Sequence, residues 1–230
     1  MNVLAVDTST TELGIGILTS DGTGYANRWR EVGHSAPLFP KIEMALGETG
    51  LNLSDIELLG VVSGPGSFTG LRIGLAGVLG WGVSRGIPVQ PVNTFEAVRS
   101  SIPADILPAV IVVHSRRDEF YALHLPRSME GKEENPFVAT ANQIAGKFPP
   151  GTKLCGPGAA LFSSSVSDEP GSRLELASDE CFMPDMSAVC RTAAALFSER
   201  NEEVSSFDIE PFYMTLSQAE IKFESRRKGI

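Results

Sequence analysis

Ser63-Gly64-Pro65-Gly66-Ser67-Phe68-Thr69-Gly70-Leu71-Arg72-Ile73-Gly74 is the stretch on which the reading of this 230-residue chain turns. It follows an apolar run at residues 56–62, expected as a buried strand, and opens a helix expected over residues 71–85, which Gly86 and Pro88 stop. A strand, a tight glycine turn and a helix N-terminus in that order make either a phosphate cradle or a place where another backbone comes close. The run has no Gly-Lys-Ser/Thr and is not a P-loop, and Gly64, Gly66 and Gly70 lack the spacing of a dinucleotide fold. Beyond it, Gly70, Gly74 and Gly77 recur at i, i+4 and i+7, with Gly80 and Ser84 continuing the stripe. Each interior glycine costs a helix about 0.8–1.0 kcal/mol relative to alanine. Such a helix needs close packing, supplied either by the protein's own sheet or by a second subunit.

Before this motif, residues 3–6, 13–18 and 25–29 read as three strands, the last two joined by the hairpin signal Ser20-Asp21-Gly22-Thr23. Leu38, Ile42, Ala45 and Leu46 recur with helical period, and Gly47 and Gly50 mark the end of that helix. Pro40 belongs near its first turn or kinks it. Phe39 and Met44 lie off the stripe and are candidates for an exposed patch. After the motif come a short strand at residues 89–92 and a helix at residues 94–99 capped by Asn93 or Thr94. Pro103 and Pro108 then break the pattern, and a second cycle opens with a strand pair at residues 109–113 and 120–125. A polar loop at residues 128–136, a helix at 140–147, a strand at 153–155 and an alanine-rich helix at 186–200 follow. Residues 209–214 rejoin the body before a last helix carrying Leu216, Ala219 and Phe223. The pattern predicts an α/β protein of two mixed-sheet halves arising by duplication, the second reduced. Its first domain spans residues 1–102 and is joined by residues 209–230; the second spans residues 103–208.

Composition narrows the function. With 42% apolar residues the chain can bury a core, and 19 basic against 28 acidic residues give −9, which disfavours electrostatic capture of nucleic acid. Cys155, Cys181 and Cys190 are odd in number and lack metal spacing, so neither a disulfide framework nor a zinc site is indicated and a reducing cytoplasm fits. The N-terminus carries no leader pattern and no run is long enough to span a bilayer, so a soluble protein is expected.

Four stretches in order carry a resemblance: Leu4-Ala5-Val6-Asp7-Thr8-Ser9, the run at 63–74, Arg116-Arg117 followed by Glu119-Phe120-Tyr121, and Glu210-Pro211-Phe212-Tyr213. They resemble the bacterial TsaB (YeaZ) family along nearly the whole chain. The resemblance implies the duplicated α/β fold of the actin, Hsp70 and sugar-kinase (ASKHA) superfamily. It also implies a part in forming threonylcarbamoyladenosine (t6A) next to the anticodon of tRNAs that read codons beginning with A. The part implied is that of a non-catalytic scaffold for a TsaD-type catalytic subunit, with a TsaE-type ATPase entering through the complex. No cofactor of its own is expected, ATP and metal belonging to partner subunits; tRNA is met only through the complex, and a homodimer forms when the partner is absent. The resemblance favours the second-subunit reading of the glycine stripe. The expected interface comprises Leu38, Phe39, Ile42, Gly70, Leu71, Gly74, Gly77, Val78 and Trp81.

Two rival readings stand beside it. In a superfamily kinase or ATPase the acid ending the first strand and its hydroxyl turn hold Mg²⁺ and phosphate; Asp7, Thr8, Ser9 and Thr10 match that position and are candidates for nucleotide contact. Asp7 equally serves as a turn cap. The facing turn of the second half, His114-Ser115-Arg116-Arg117-Asp118, has no glycine to admit phosphate, which leaves half a clamp. A metallopeptidase-like site would need H-x-x-x-H, yet His34 is followed at that spacing by Leu38. No nucleophile arrangement stands out, Ser67 not lying in Gly-x-Ser-x-Gly. After Tyr213 many relatives carry an aliphatic residue and then arginine, where this chain has Met214-Thr215.

Overall fold

The structure is a computed structural model and describes residues 1–30, 35–127, 135–166, 174–200 and 208–215. Strands β1 (Val3–Asp7), β2 (Glu12–Leu18) and β3 (Gly24–Arg30) form an antiparallel meander. Thr19, Asp21 and Gly22, the last at φ 86°, close its second turn. Helix α1 (Ser35–Thr49) leads to β4 (Leu58–Gly64), which pairs parallel with β1. Helix α2 (Phe68–Arg85) leads to β5 (Val89–Asn93), parallel to β4, and α3 (Thr94–Arg99) closes the first cycle. The resulting sheet has the order β3-β2-β1-β4-β5.

The second cycle repeats that plan. Strands β6 (Ala109–Arg116), β7 (Glu119–Leu125) and β8 (Phe137–Thr140) form the meander, and β9 (Lys153–Cys155) and β10 (Glu175–Leu176) add in parallel, with helices α4 (Ala141–Lys147) and α5 (Ala159–Ser165) between. Read from the β8 edge the order is β8-β7-β6-β9-β10, the same as the first sheet strand for strand. Duplication is thus visible in topology, and the second half is reduced in strand length: β9 and β10 have three and two residues where β4 and β5 have seven and five.

Five layers result. Helices α1 and α2 cover the outer face of the first sheet, where Leu38, Ile42, Leu75 and Val78 meet Leu4, Val6, Leu59 and Val61. Helices α4 and α5 cover the outer face of the second through Ile144 and Phe162. Helix α6 (Met186–Glu199) lies on the inner face of the first sheet, packing Val189, Cys190 and Ala193 on Val3, Ala5 and Val62. This corrects the expected boundary: a helix inside residues 103–208 builds the core of the first half. Helix α3 spans the middle layer, with Ala97 toward the first sheet and Phe95 and Val98 toward the second. Both faces of β4 are covered, and all seven of its residues are buried, as a central parallel strand requires.

Local signals set the element ends. Asn93 caps α3 through a capping box, Thr140 does the same for α4, and Asp185 accepts from the Ser187 and Ala188 amides to cap α6. Of the two glycines expected to end α1, Gly47 is passed and Gly50 (φ 69°) stops it, because a glycine ends a helix where a left-handed residue is taken up; since the helix starts at Ser35, Pro40 sits in its second turn rather than near its first. Helix α2 begins at Phe68, since the Ser67 hydroxyl accepts from the Gly70 amide and starts it three residues early. Strand β4 starts later than expected and runs on to Gly64. The expected last helix and most of the 128–136 loop lie outside the described residues, as does His34. Among the described residues no helix is long and apolar enough to cross a membrane. Asp185→Ala removes the cap of α6 and is expected to cost about 1 kcal/mol, seen as a fall in melting temperature of roughly 2–4 °C.

Candidate functional site

The glycine turn and the end of β1 meet face to face. Asp7, Thr8 and Ser9 end β1 and enter the β1–β2 loop, and the loop backbone lies along the first turns of α2. The Ser67 amide donates to the Ser9 carbonyl at 2.7 Å, and the Thr8 hydroxyl donates to the Gly70 carbonyl at 2.7 Å. A Cβ on Gly66 would overlap the Ser9 carbonyl oxygen, one on Gly70 the Thr8 carbonyl oxygen, and one on Gly74 the Thr8 hydroxyl. The glycines are therefore required by a close backbone approach, and the backbone is the chain's own. One turn further, a Cβ on Gly77 would sit 3.2 Å from Leu38 and 3.5 Å from Phe39 on α1, so this glycine lets the two helices pack. Only Gly80 opens onto free space among the helix glycines of the stripe.

This overturns part of the expected interface. Leu38, Ile42, Leu71 and Val78 are at most 1% exposed, and Gly70 and Gly74 are buried under the β1–β2 loop, so none presents surface to a second subunit. Of the set, Phe39 is 42% exposed and Gly77 and Trp81 are half-buried, Phe39 resting on Trp81 with ring centroids 5.1 Å apart. Met44, Val83, Ala76 and Gly80 are exposed beside them.

The acid and hydroxyl turn is closed on itself. Asp7, Thr8, Ser9 and Thr10 are all buried. Oδ1 of Asp7 accepts from the Ser9 amide at 2.8 Å and from its hydroxyl at 2.6 Å, while Oδ2 accepts from Arg28 at 2.7 Å. The Thr10 hydroxyl is engaged with the Glu12 backbone. The expected nucleotide contacts are thus spent on internal bonds, and both oxygens of the candidate metal carboxylate have donors. Register explains Arg28: Asp7, Gly14 and Arg28 pair in one row across β1, β2 and β3, and Gly14 leaves room for the guanidinium to cross. Arg28 was not singled out from sequence, although the predicted hairpin, carried through its register, puts the three in line.

The facing turn of the second half is built differently. Its β6–β7 register shifts between His114 and Arg116, Arg117 takes φ 50°, and Arg116 pairs with Glu119 at 2.8 Å, both side chains half-buried. A feature missed in the sequence lies beneath it: Gly156-Pro157-Gly158 leaves β9 as Gly64-Pro65-Gly66 leaves β4. Gly64 (φ 120°) and Gly156 (φ 92°) both take conformations that side chains avoid, and a Cβ on Gly158 would be 2.9 Å from the His114 amide. The repeated tripeptide was the available signal.

A strap at residues 208–215 joins the halves. Ile209 enters the first core, the Phe212 amide donates to the Ser63 carbonyl at 2.8 Å, and a Cβ on Gly64 would meet the Phe212 carbonyl at 2.6 Å. Tyr213 stacks on Phe68 and bonds Arg72, Met214 packs into the second core, and the Thr215 hydroxyl bonds the Tyr121 hydroxyl at 2.8 Å. Thr215 thus makes the contact to the second half. Cys155, Cys181 and Cys190 are buried and free, and burial pushes the thiols of Cys155 and Cys190 up to about 12. Among the described residues no group of three His, Cys, Asp or Glu side chains could hold a metal.

Two mixed sheets of one strand order, each with its hairpin beside a glycine turn of the same half, define a duplicated α/β protein. Comparison with known proteins refines this. The family model described as TsaD, tRNA N6-adenosine threonylcarbamoyltransferase, matches residues 29–199. The tRNA threonylcarbamoyladenosine biosynthesis protein TsaB of Bacillus subtilis is 34% identical over 105 residues, 44% of either chain. An uncharacterised protein of Mycobacterium tuberculosis is 34% identical over 122 residues, 52% of this chain and 56% of its own length. YeaZ from Pseudomonas aeruginosa superposes with TM-score 0.72 at 21% identity, covering 93% of this chain and 99% of that one. The matched stretch spans about half or less of the length of the curated relatives. The chain belongs to the threonylcarbamoyltransferase family, in its TsaB/YeaZ branch.

Gly70→Ala is expected to destabilise the isolated subunit by about 2–3 kcal/mol, since a backbone carbonyl must yield, whereas Gly80→Ala adds about 0.5–1 kcal/mol by removing helix glycine entropy. Equilibrium urea unfolding distinguishes the two signs.

Proposed function

We propose that this chain is a non-catalytic subunit of the assembly that forms t6A on tRNA, and that it docks on a TsaD-type catalytic subunit through the outer face of α1 and α2. The observation that carries this reading is a contrast within the first half. The turn where a kinase or ATPase would hold phosphate is sealed by internal hydrogen bonds and an ion pair. The helices behind it expose Phe39, Met44 and Val83 beside the small residues Ala76 and Gly80. Large side chains flanking small ones let a second helix come near and bury apolar surface at the centre of a contact. ATP and metal then reside on partner subunits, with a TsaE-type ATPase and tRNA joining through the complex in the cytoplasm. The net charge of −9 agrees with tRNA being held by others. Without the partner, the same face pairs with a second copy.

A sizing column loaded with this chain and a TsaD-type subunit tests the reading. Co-elution is expected, with no ATP turnover by this chain alone. Gly80→Arg adds bulk and charge where the space is open. It is expected to keep or slightly raise the melting temperature, as any good helix former in place of this glycine would, while weakening the complex at least tenfold, a loss of about 1.4 kcal/mol. It should also lower t6A in tRNA when it replaces the wild-type chain in cells. Wild-type co-elution by this variant, or ATP turnover by the lone chain, sinks the reading.

A further inference from the structure

Asp7 is fully buried at the end of β1, where one of its oxygens accepts from the Ser9 amide and hydroxyl. A buried carboxylate requires a counter-charge or it is expelled or protonated. Here the counter-charge is fixed by geometry. Nε of Arg28 donates to the Pro184 carbonyl at 2.7 Å, and a terminal nitrogen donates to Asp7 at 2.7 Å with the Met186 sulfur 3.2 Å away. The other terminal nitrogen is buried and has no protein partner, so it contributes nothing to holding the guanidinium and adds a desolvation cost. The guanidinium crosses Gly14, where a Cβ would lie 3.0 Å from its central carbon and 2.6 Å from the Met186 sulfur. Register, a glycine and the entry to α6 thus combine to deliver one cation to one carboxylate.

We propose that the Arg28 guanidinium is an internal cation standing in the place beside Asp7 that a divalent cation carrying phosphate would need. The first half is closed to metal-bound phosphate by this arginine rather than by loss of the acid. The residues do not fit a resident metal while Arg28 is present, because both carboxylate oxygens of Asp7 are already bonded and no cluster of ligating side chains surrounds them among the described residues. This inference does not depend on partner docking. Without the guanidinium, the Asp7 carboxylate lacks its counter-charge and, with the Ser9 hydroxyl beside it, offers hard oxygen atoms suited to magnesium or calcium.

Thermal unfolding of the full chain, with and without millimolar magnesium or calcium chloride, provides the test. Arg28→Met keeps the apolar stem against Met186 and removes the charge; Arg28→Met combined with Asp7→Asn removes both charges. Divalent cation is expected to raise the melting temperature of the single variant by about 3 °C or more and to leave the wild type and the double variant unmoved. No gain in the single variant, or an equal gain in all three proteins, overturns the proposal. Should the single variant be unfolded alone, recovery of its near-ultraviolet dichroism on adding the cation supports it. Recovery only on adding Asp7→Asn overturns it, the pair then being a fastening that no metal replaces.

Discussion

The packing of α2 on the β1–β2 loop is the contact from which the rest of the first half follows. A helix axis lies so near the Thr8–Ser9 backbone that Gly66, Gly70 and Gly74 have no space for a side chain. That approach lets the Thr8 hydroxyl reach the Gly70 carbonyl and the Ser67 amide reach the Ser9 carbonyl. The loop is thereby pinned, and with it the direction of Asp7. Because α2 is held this way at its N-terminal end, its middle can meet α1 through Gly77, and its far end emerges with Gly80 and Val83 at the surface. A helix costly to form on its own is used where close approach, not propensity, decides stability.

Duplication gave both halves a hairpin, a parallel strand and a Gly-Pro-Gly turn, and the halves then parted at the hairpin tip. The first tip holds a buried acid neutralised across three strands. The second holds a bulged turn with a half-buried arginine–glutamate pair, which solvent still reaches and screens. In the first tip the Ser9 amide and hydroxyl are bonded to the Asp7 carboxylate, and in the second Arg117 rather than glycine takes the left-handed conformation. The two halves thus share one architecture and differ in the chemistry of their hairpin tips.

Local signals in the sequence translated well: the meander with its Asp-Gly turn, the caps at Asn93 and Asp185, and the stop at Gly86 each depend on neighbours a few residues away. The destination of a surface was harder to read. A stripe of small residues states that some backbone comes near, but a sequence does not label whose, and here it is Thr8 and Ser9. Likewise, the apolar face of α6 fits either sheet, and it is close approaches in the structure, such as that of Gly16, where a Cβ would sit 2.6 Å from the Met186 carbonyl, that show the first sheet is built to receive it. Strands β8 and β10 and helix α5 were too short for periodicity to register. Arg28 was legible only through strand register, a relation among three segments rather than within one.

The strap at residues 208–215 has a mechanical consequence. It is anchored to the first half at Ile209 and Phe212 and to the second at Met214 and Thr215, and it runs over Gly64 between these anchors. A hinge between the halves would have to stretch or peel this ligature, so the subunit is braced against the shearing movement by which two-lobed enzymes open and shut. Rigidity of that kind suits a template, whose contour must be ready before anything settles on it.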